Sequence, residues 1–419
     1  MEQSTLASAG ERRVLIIVQN LPVPFDRRVW LEATTLRGAG YAVSVICPKA
    51  KGFDRSFEIL EGVRVHRYLL PIEARGKIGY AVEFAWCLLR SLGKSVRVAL
   101  GGPGFDVIHA CNPPDTYWVL GRLWKLLGKR FVFDHHDLSP EMYEAKFGDH
   151  GLLRAMLLFL ERMSFRTADV SIATNESHRR IAIDRGGMDP EFVFVVRSGP
   201  DLDRLKIHPP DETWKRGGKH LLVYLGEMCE QDGVDYLVRA VEYLKDEFNR
   251  SDFHCVFVGG GPQQQQISDY AARRGVSDLC TFTGRVSDEL LCQVLSSADI
   301  AVDPDPKTPW SDKSTMNKII EYMFFGLPIV CFDLSENRFS AQEAAVYASA
   351  NDARSLAAEI AALAEDPGRR ARMREFGQRR VKEELAWHHS VPHLLATYET
   401  AFAGPTSVSP SYDFSSTSA

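Results

Sequence analysis

Two doubly wound α/β domains in tandem are predicted by three features of the sequence. Short apolar runs rich in β-branched residues alternate with longer segments of helical period. The alternation breaks over residues 198–210, where SGPDLDRLKIHPP is dense in Pro, Gly and Asp, and then restarts. The chain's 419 residues are too many for one core of ordinary size and suit two.

In the first half, strands are expected over residues 14–18, 42–47, 63–67, 106–110, 130–134, 169–173 and 192–196. Their apolar interiors suit parallel strands covered on both faces. The helical segments between them fall at 27–36, 78–98, 116–127 and 152–166. After the break, strands at 221–225, 253–258, 279–283, 300–302 and 328–332 alternate with helices at 234–248, 264–274, 288–296, 315–325 and 353–364. The reading assigns 1–200 to a first domain, 201–386 to a second, 387–403 to a helix returning to the first, and 404–419 to a disordered Ser/Pro-rich tail. Ligands of such sheets bind at the carboxyl ends of the strands, so the site is expected in a cleft between the domains.

A composition of 45% hydrophobic and 25% charged residues with a net charge of −5 excludes general disorder and a nucleic-acid binder that works by gross positive charge. Charge is unevenly spread: residues 1–200 hold 27 Lys+Arg against 22 Asp+Glu, and residues 201–419 hold 23 against 33. Either the domains differ by chance or the basic half meets something anionic, such as a membrane surface. Two apolar segments flanked by basic residues, 77–100 and 151–166, read either as core helices or as amphipathic helices at a membrane interface. The eight cysteines are dispersed in apolar runs without a Cys-x-x-Cys pair, as expected of buried thiols in a reducing cytosol, and no metal or redox site is expected. The first residues lack a secretory apolar region, and no apolar run reaches the ~18 residues of a membrane span. The expected location is cytoplasmic, with peripheral contact at the inner face of the plasma membrane.

The first strand runs into QNLPVPFDRRVW rather than the Gly-x-Gly-x-x-Gly of a dinucleotide site, so NAD is not expected. In the second half the strand HCVFV enters Gly259, Gly260 and Gly261, a turn that either lets backbone amides approach a phosphate or sugar or is a tight strand-to-helix turn and nothing more. The densest segment is STMNKIIEYMFFGLPIVCFD, residues 314–333. Its helix is expected to start at Ser314 and Thr315 and to end at Gly326. Lys318 and Glu321, three residues apart, suit either a phosphate contact and a grip on a ribose diol, or an ordinary solvated ion pair.

NKIIEYMFFGLPIV resembles the helix and strand of retaining glycosyltransferases of family 4, which have the GT-B fold of two Rossmann-like domains. YLGEMCEQDGVDYLVRA, FVGGGP, FTGRVSDELLCQVLSSADI and GQRRVKEELAWHHS follow in the family's order. PVPFDRRVWLEATTLRGAGYAVSVICP, DVIHACNPPD and FDHHDLSPEMY resemble the branch that assembles bacterial surface polysaccharides. The resemblance implies transfer of a sugar from a nucleoside diphosphate, taken as UDP, to a lipid-linked or growing glycan, without a metal. It implies a donor in the second domain, with Glu321 on the ribose, Thr283, Gly284 and Arg285 along the base, and Gly259–Gly261, Lys313, Asn317 and Lys318 around the donor. Lys318 is counted with His136 and Glu321 as catalytic. The first domain would hold the acceptor through Asp26, Arg27, Arg28, His136 and Asp137, with His135 competing for the role of His136. In a front-side retaining reaction the leaving phosphate takes the acceptor's proton while cations and helix-start amides stabilise it.

Three departures from the family pattern stand out. The family's glutamate eight residues before Glu321 is Lys313, beside Asp312. The basic pair of Gly-Arg-x-x-x-x-Lys-Gly is replaced by Glu227 and Asp232, and the linker Asn is Ser198. Lys318, Lys313, Arg285 and Arg197 are the candidates to neutralise the diphosphate in its stead. Two other functions fit the same architecture: a sugar-nucleotide 2-epimerase and a catalytically silent scaffold.

Overall fold

The computed structural model describes residues 12–70, 76–148, 151–202 and 204–404, and the tail expected over 404–419 lies, past Gly404, outside them. The chain divides into two compact units. One contains the described residues up to Pro140, Gly151–Val196 and those from Val391; the other contains Glu141–His150 and Arg197–Ser390.

The first unit is built on eight strands: β1 (Arg13–Ile17), β2 (Ala42–Pro48), β3 (Phe57–Leu60), β4 (Val63–Tyr68), β5 (Val107–Cys111), β6 (Arg130–His135), β7 (Val170–Ala173) and β8 (Val193–Val195). They lie in the order β3-β4-β2-β1-β5-β6-β7-β8. Every pairing is parallel except β3 with β4. Every residue of β2, β5 and β7 is buried, which explains why their sequences are apolar apart from Ser44, His109 and Ser171. Strand β3 was not expected, because FEIL lies at the sheet edge with Phe57 and Ile59 exposed and has no buried run to announce it. It returns to β4 through Glu61 and Gly62, both at positive φ, the backbone of a two-residue hairpin turn. Its helices are α1 (Arg27–Gly38), α2 (Gly76–Gly101), α3 (Trp118–Lys125), α5 (Leu152–Thr167) and α6 (Glu176–Asp184), while α4 (Ser139–Phe147), between α3 and α5 in the chain, belongs from Glu141 onward to the second unit.

In the second unit β9 (His220–Leu225), β10 (Phe253–Val258), β11 (Cys280–Gly284), β12 (Ile300–Asp303), β13 (Ile329–Phe332) and β14 (Ala345–Ala348) form an all-parallel sheet in the order β11-β10-β9-β12-β13-β14. Helices α7 (Val234–Asp246), α8 (Gln264–Arg273), α9 (Asp288–Ser297), α10 (Asn317–Phe324), α11 (Ser335–Ala341), α12 (Ala353–Ala364), α13 (Pro367–Arg380) and α14 (Trp387–Ala403) follow in the chain. The residues of α14 from Val391 onward pack with the first unit. Alternation along β9 builds two cores: Leu222 and Tyr224 face Leu237, Val241, Leu356 and Ile360, while Leu221 and Val223 face Leu291, Leu295, Ile319 and Met323.

Chain order reverses between β1 and β5 in the first sheet and between β9 and β12 in the second. At such a point the crossover connections leave on opposite sides and open a crevice at the carboxyl ends of the strands. Tyr322 marks the second opening: its hydroxyl accepts from Leu225 N at 2.7 Å and lies 3.4 Å from Val302 O, bridging the ends of β9 and β12.

Candidate active-site residues

In the first unit the switch point is organised by Asp134, the penultimate residue of β6, which is wholly buried. Its Oδ1 accepts from Arg28 Nη2 at 3.1 Å, and its Oδ2 lies 2.5 Å from His136 Nε2 and 3.2 Å from His109 Nε2. Burial works against its charge, yet Arg28 and His136 hold its carboxyl well below the usual range. Glu32, one turn along α1 from Arg28, has its pKa pushed well up by burial and by Asp134, while Arg28, 3.2 Å away, pulls it back. Burial lowers the pKa of His109, keeping it neutral in spite of Asp134. One assignment of protons satisfies the chain: Tyr398 Oη donates to His109 Nδ1 at 2.6 Å, and His109 Nε2 donates to Asp134. His136 Nε2 accepts from Arg28 Nε at 3.0 Å and lies 2.5 Å from Asp134 Oδ2. The ring is thereby held with Nε2 inward and Nδ1 turned away from the carboxylate.

Asn112, the residue after β5, holds the turn that carries this histidine. Its Oδ1 accepts from His136 N at 2.6 Å and Asp137 N at 3.1 Å, and its Nδ2 donates to Asp137 O at 2.7 Å. His135, one residue earlier on β6, points elsewhere: it is fully buried, 3.4 Å from Glu161 and packed on Phe165 and His178. Asp26 caps α1 by accepting from Val29 N at 3.1 Å, and burial raises its pKa, as it does that of Asp137. Arg27 is exposed, whereas Arg28 is drawn into the network and also donates to Val196 O at 2.8 Å. The structure brings Asp26, Arg28, His136 and Asp137 together. The sequence reading missed Asp134, His109, Asn112, Glu32 and Tyr398; the first three sit inside the FDHHD and DVIHACNPPD segments it had singled out.

Glu32, Cys111, Asp134 and His136 offer ligand atoms within 4.8 Å of one another, close enough to surround a metal ion. The guanidinium of Arg28 lies within 3.0–3.2 Å of three of them and supplies the positive charge a metal would bring. A cation entering this set would have to displace a buried arginine, so the donors do not fit a resident metal.

In the second unit, Gly259–Gly261 pack turn against turn on the loop after β9. A Cβ on Gly259 would stand 1.9 Å from Gly226 O, and one on Gly261 would stand 2.6 Å from the Met228 backbone. Gly260 has no atom nearer than 3.6 Å to such a position. Gly259 N donates to Gly284 O at 3.1 Å, joining this turn to Thr283 and Gly284 at the end of β11, and exposed Arg285 follows.

Helix α10 starts at Asn317 rather than at Ser314 and Thr315. Met316 stands at its cap with no side-chain bond, and Ser314 donates instead to Trp310 O at 2.8 Å. Its end is as expected, with Gly326 at φ +68° and Leu327 N bonded to Tyr322 O at 2.9 Å. Lys318 and Glu321 take different partners. Lys318 Nζ is 3.2 Å from Asp303 and 2.9 Å from Asp305, both buried at the end of β12, and lies over the Tyr224 ring at 4.9 Å. Burial opposes its charge, but Asp305, Tyr224 and Asp303 push its pKa well up, so it is the counter-ion of two buried acids and not an outward-facing phosphate ligand. Glu321 instead meets Arg204, with Oε1 3.2 Å from Nη2. Arg197 is likewise turned inward, 3.6 Å from Glu336 and over the Phe339 ring at 4.0 Å. Lys313 and Arg285 keep their side chains in partial contact with solvent. Asp312, beside Lys313, accepts from Ser335 N and Oγ at 2.8 and 3.0 Å, which commits it to the start of α11. Asn317 is exposed at the first position of α10.

Two parallel Rossmann-like sheets with sites at both switch points define a protein of the GT-B fold. Residues 26–204 match Glycosyltransferase Family 4 and residues 219–366 match Glycosyl transferases group 1, so the two between them cover most of the chain. The chain is a glycosyltransferase similar to family 4. It is 27% identical over 320 residues, 71% of this chain and 67% of the relative, to a D-inositol 3-phosphate glycosyltransferase of Geodermatophilus obscurus. In structure it resembles sucrose-phosphate synthase of Thermosynechococcus elongatus, with TM-score 0.75 and 18% identity over 94% of this chain and 100% of that one. It also resembles HepE of Anabaena in complex with UDP-glucose, with TM-score 0.69 and 16% identity over 93% and 99%.

Proposed function

We propose that the protein transfers a sugar, with retention, from a UDP-sugar to a lipid-linked or growing acceptor in surface-glycan synthesis. The observation that carries this reading is Glu321, a carboxylate on α10 next to Tyr322, whose hydroxyl bridges the ends of β9 and β12 at the switch point of the second sheet. The UDP-glucose held by the Anabaena neighbour supports the choice of donor. The sugar departs as an oxocarbenium-like species, and the residues suited to stabilise the leaving diphosphate are the outward cations Lys313 and Arg285 with the backbone at Gly260. His136, locked by Asp134, would present Nδ1 to the reacting sugar or the acceptor.

An acceptor in a membrane is supported by α2, which is built inside out. Its buried side carries Cys87, Ser91, Ser95 and Val98, while Val82, Leu89, Val96 and Leu100 are exposed, Leu100 at 84%. Exposed Arg90 and Arg97 flank that stripe, and α5 adds exposed Leu152, Met156 and Phe159. Apolar side chains bracketed by arginines suit the headgroup region of an anionic bilayer. The same helix reaches the acceptor side, where Gln19, just after β1, donates to Glu83 at 2.9 Å. Among the described residues no helix is long and apolar enough to cross a membrane.

The test is transfer of radiolabelled glucose from UDP-glucose to extracted bacterial lipids, with product anomers read by NMR. Wild type should label lipid with retained configuration and Glu321→Ala should not. Label confined to water-soluble acceptors, or an unchanged Glu321→Ala enzyme, would overturn the reading. Flotation with phosphatidylglycerol vesicles should carry wild type upward and leave the Leu89→Glu/Arg90→Glu/Arg97→Glu variant behind.

A further inference from the structure

We infer that Arg204 is a positioning residue of the nucleotide-sugar site, one that sets the Glu321 carboxylate for a ribose diol. The inference rests on the reading that Glu321 grips the ribose, and it explains how that carboxylate is held. Arg204 lies on the strap that leads into the second unit. The strap is fastened along α9: Leu205 is buried among Leu291 and Leu295, His208 N donates to Ser296 Oγ at 2.9 Å, and Asp211 N donates to Ser297 Oγ at 2.9 Å. From there Arg204 spans two helices, with Nη1 3.0 Å from Asp288 at the first turn of α9 and Nη2 3.2 Å from Glu321 on α10.

The arrangement has a chemical consequence. A flexible glutamate that binds two hydroxyls must give up side-chain rotation at the moment of binding, and a guanidinium already resting on one flank removes part of that cost beforehand. Arginine suits the task because its planar fork engages two separate carboxylates at once, where a lysine would be a point charge. Asp288, itself half exposed, anchors the far side of the fork, and the fastening of the strap from Leu205 to Asp211 along α9 sets its reach. Arg204 thereby acts on the donor through Glu321. The property it controls is discrimination of ribose from a sugar lacking the diol, because a site built to bond hydroxyls penalises their absence.

The experiment is calorimetric titration of the full chain with UDP and GDP and with their 2′,3′-dideoxy counterparts. In wild type the ribonucleotide of the accepted base should bind more tightly than its dideoxy form. Arg204→Ala should weaken the ribonucleotide about tenfold, the loss expected for one charge-assisted contact, while leaving the dideoxy form unchanged, so that discrimination collapses. Arg204→Lys should recover part of it, and Asp288→Asn should lower it in the same direction by less. A merely structural role would move both nucleotides together. An unchanged ratio in Arg204→Ala, or tighter ribonucleotide binding as expected if Arg204 blocks the carboxylate, would overturn the inference. Glu321→Gln is the control for the reading beneath it: if that variant keeps full discrimination, Glu321 is not the ribose ligand and the premise itself has failed.

Discussion

Replacing Asp134 by Asn removes one charge from a buried set of four groups, and its cost can be worked from the protonation states. Arg28 carries the positive charge and Asp134 the matching negative one, while burial pushes the pKa of Glu32 up and that of His109 down. Without it Glu32 is the one acid left beside Arg28, and the new amide turns a donor toward the N–H of His109. Breaking a buried pair in this way costs about 3–5 kcal/mol, and ionisation of Glu32 would return part of it. Urea unfolding followed by tryptophan fluorescence reads the loss in the transition of the first unit. A cycle with Arg28→Met isolates the pair, since the double variant should be milder than the sum of the singles by at least ~2 kcal/mol. The carboxyl of Asp134 titrates below its unfolded value of about 3.8, so its contribution is complete above that pH and is lost only as pH falls through the lowered native value. The stability difference between wild type and Asp134→Asn should therefore stay constant from about pH 8 to pH 5. A loss under ~1 kcal/mol, or effects of the two single variants that simply add, would refute the assigned network.

The remaining expectations are of the same kind. Gly259→Ala should destabilise the second unit by more than ~3 kcal/mol, because its Cβ meets a carbonyl at 1.9 Å, whereas Gly260→Ala should cost under ~1 kcal/mol and instead raise KM for the donor; denaturation and initial-rate kinetics separate the two. Lys318→Met should unfold at markedly lower urea, having left Asp303 and Asp305 without their cation, while Lys313→Met should keep its stability and lose donor affinity. His66, between Lys94, Arg64 and Arg97, is held by burial and those charges at a pKa of about 4. The unfolded chain therefore binds the extra proton between about pH 6.5 and 4, and stability should fall over that window by up to ~3 kcal/mol, less in His66→Gln. Proton NMR titration of the ring would show a midpoint near 6.5 if this assignment were mistaken.

The strands were legible because a parallel sheet covered on both faces takes mostly apolar side chains, and β2 and β5 announce themselves by that although each buries one polar residue, Ser44 and His109. Elements that bury little did not, namely β3 at an edge and α13, whose PGRRARMREFGQRR reads as a run of arginines rather than an amphipathic helix; β14 is mostly buried but, at four residues, too short to stand out. In the site, Glu321 and His136 were found through the motifs around them. Arg28 was read too, as an acceptor contact, but its pairing with Asp134, 106 positions away, was not, nor was that of Arg204 with Glu321, 117 positions away; Asp134 itself lay unread two positions before His136. No local periodicity reports a contact that only the fold creates.

The acidity of the second half also changes meaning once it is folded. Part of its excess sits at the switch point, where Asp232, Asp303 and Asp305 surround Lys318 in place of the family's basic pair. Burial, together with Asp303, raises the pKa of Asp305 well up, and burial raises that of Asp232 as well. Lys318, paired with Asp303 and Asp305, offsets part of the charge that the formal count assigns there. The acids also hold Lys318 beneath the turn after β9, where the Cβ that Gly226 lacks would stand 3.5 Å from the lysine's Cε. A positive charge is thereby kept close under the diphosphate's expected path although the sequence shows only acids in that turn. On this argument the substitution of the basic pair relocates the cation from the loop to α10. Its field would still act on an incoming diphosphate, weakened by Asp303, so Lys318→Met should raise KM for the donor even in a background restabilised by Asp303→Asn. Unchanged donor affinity in that double variant would leave Lys318 a purely structural residue.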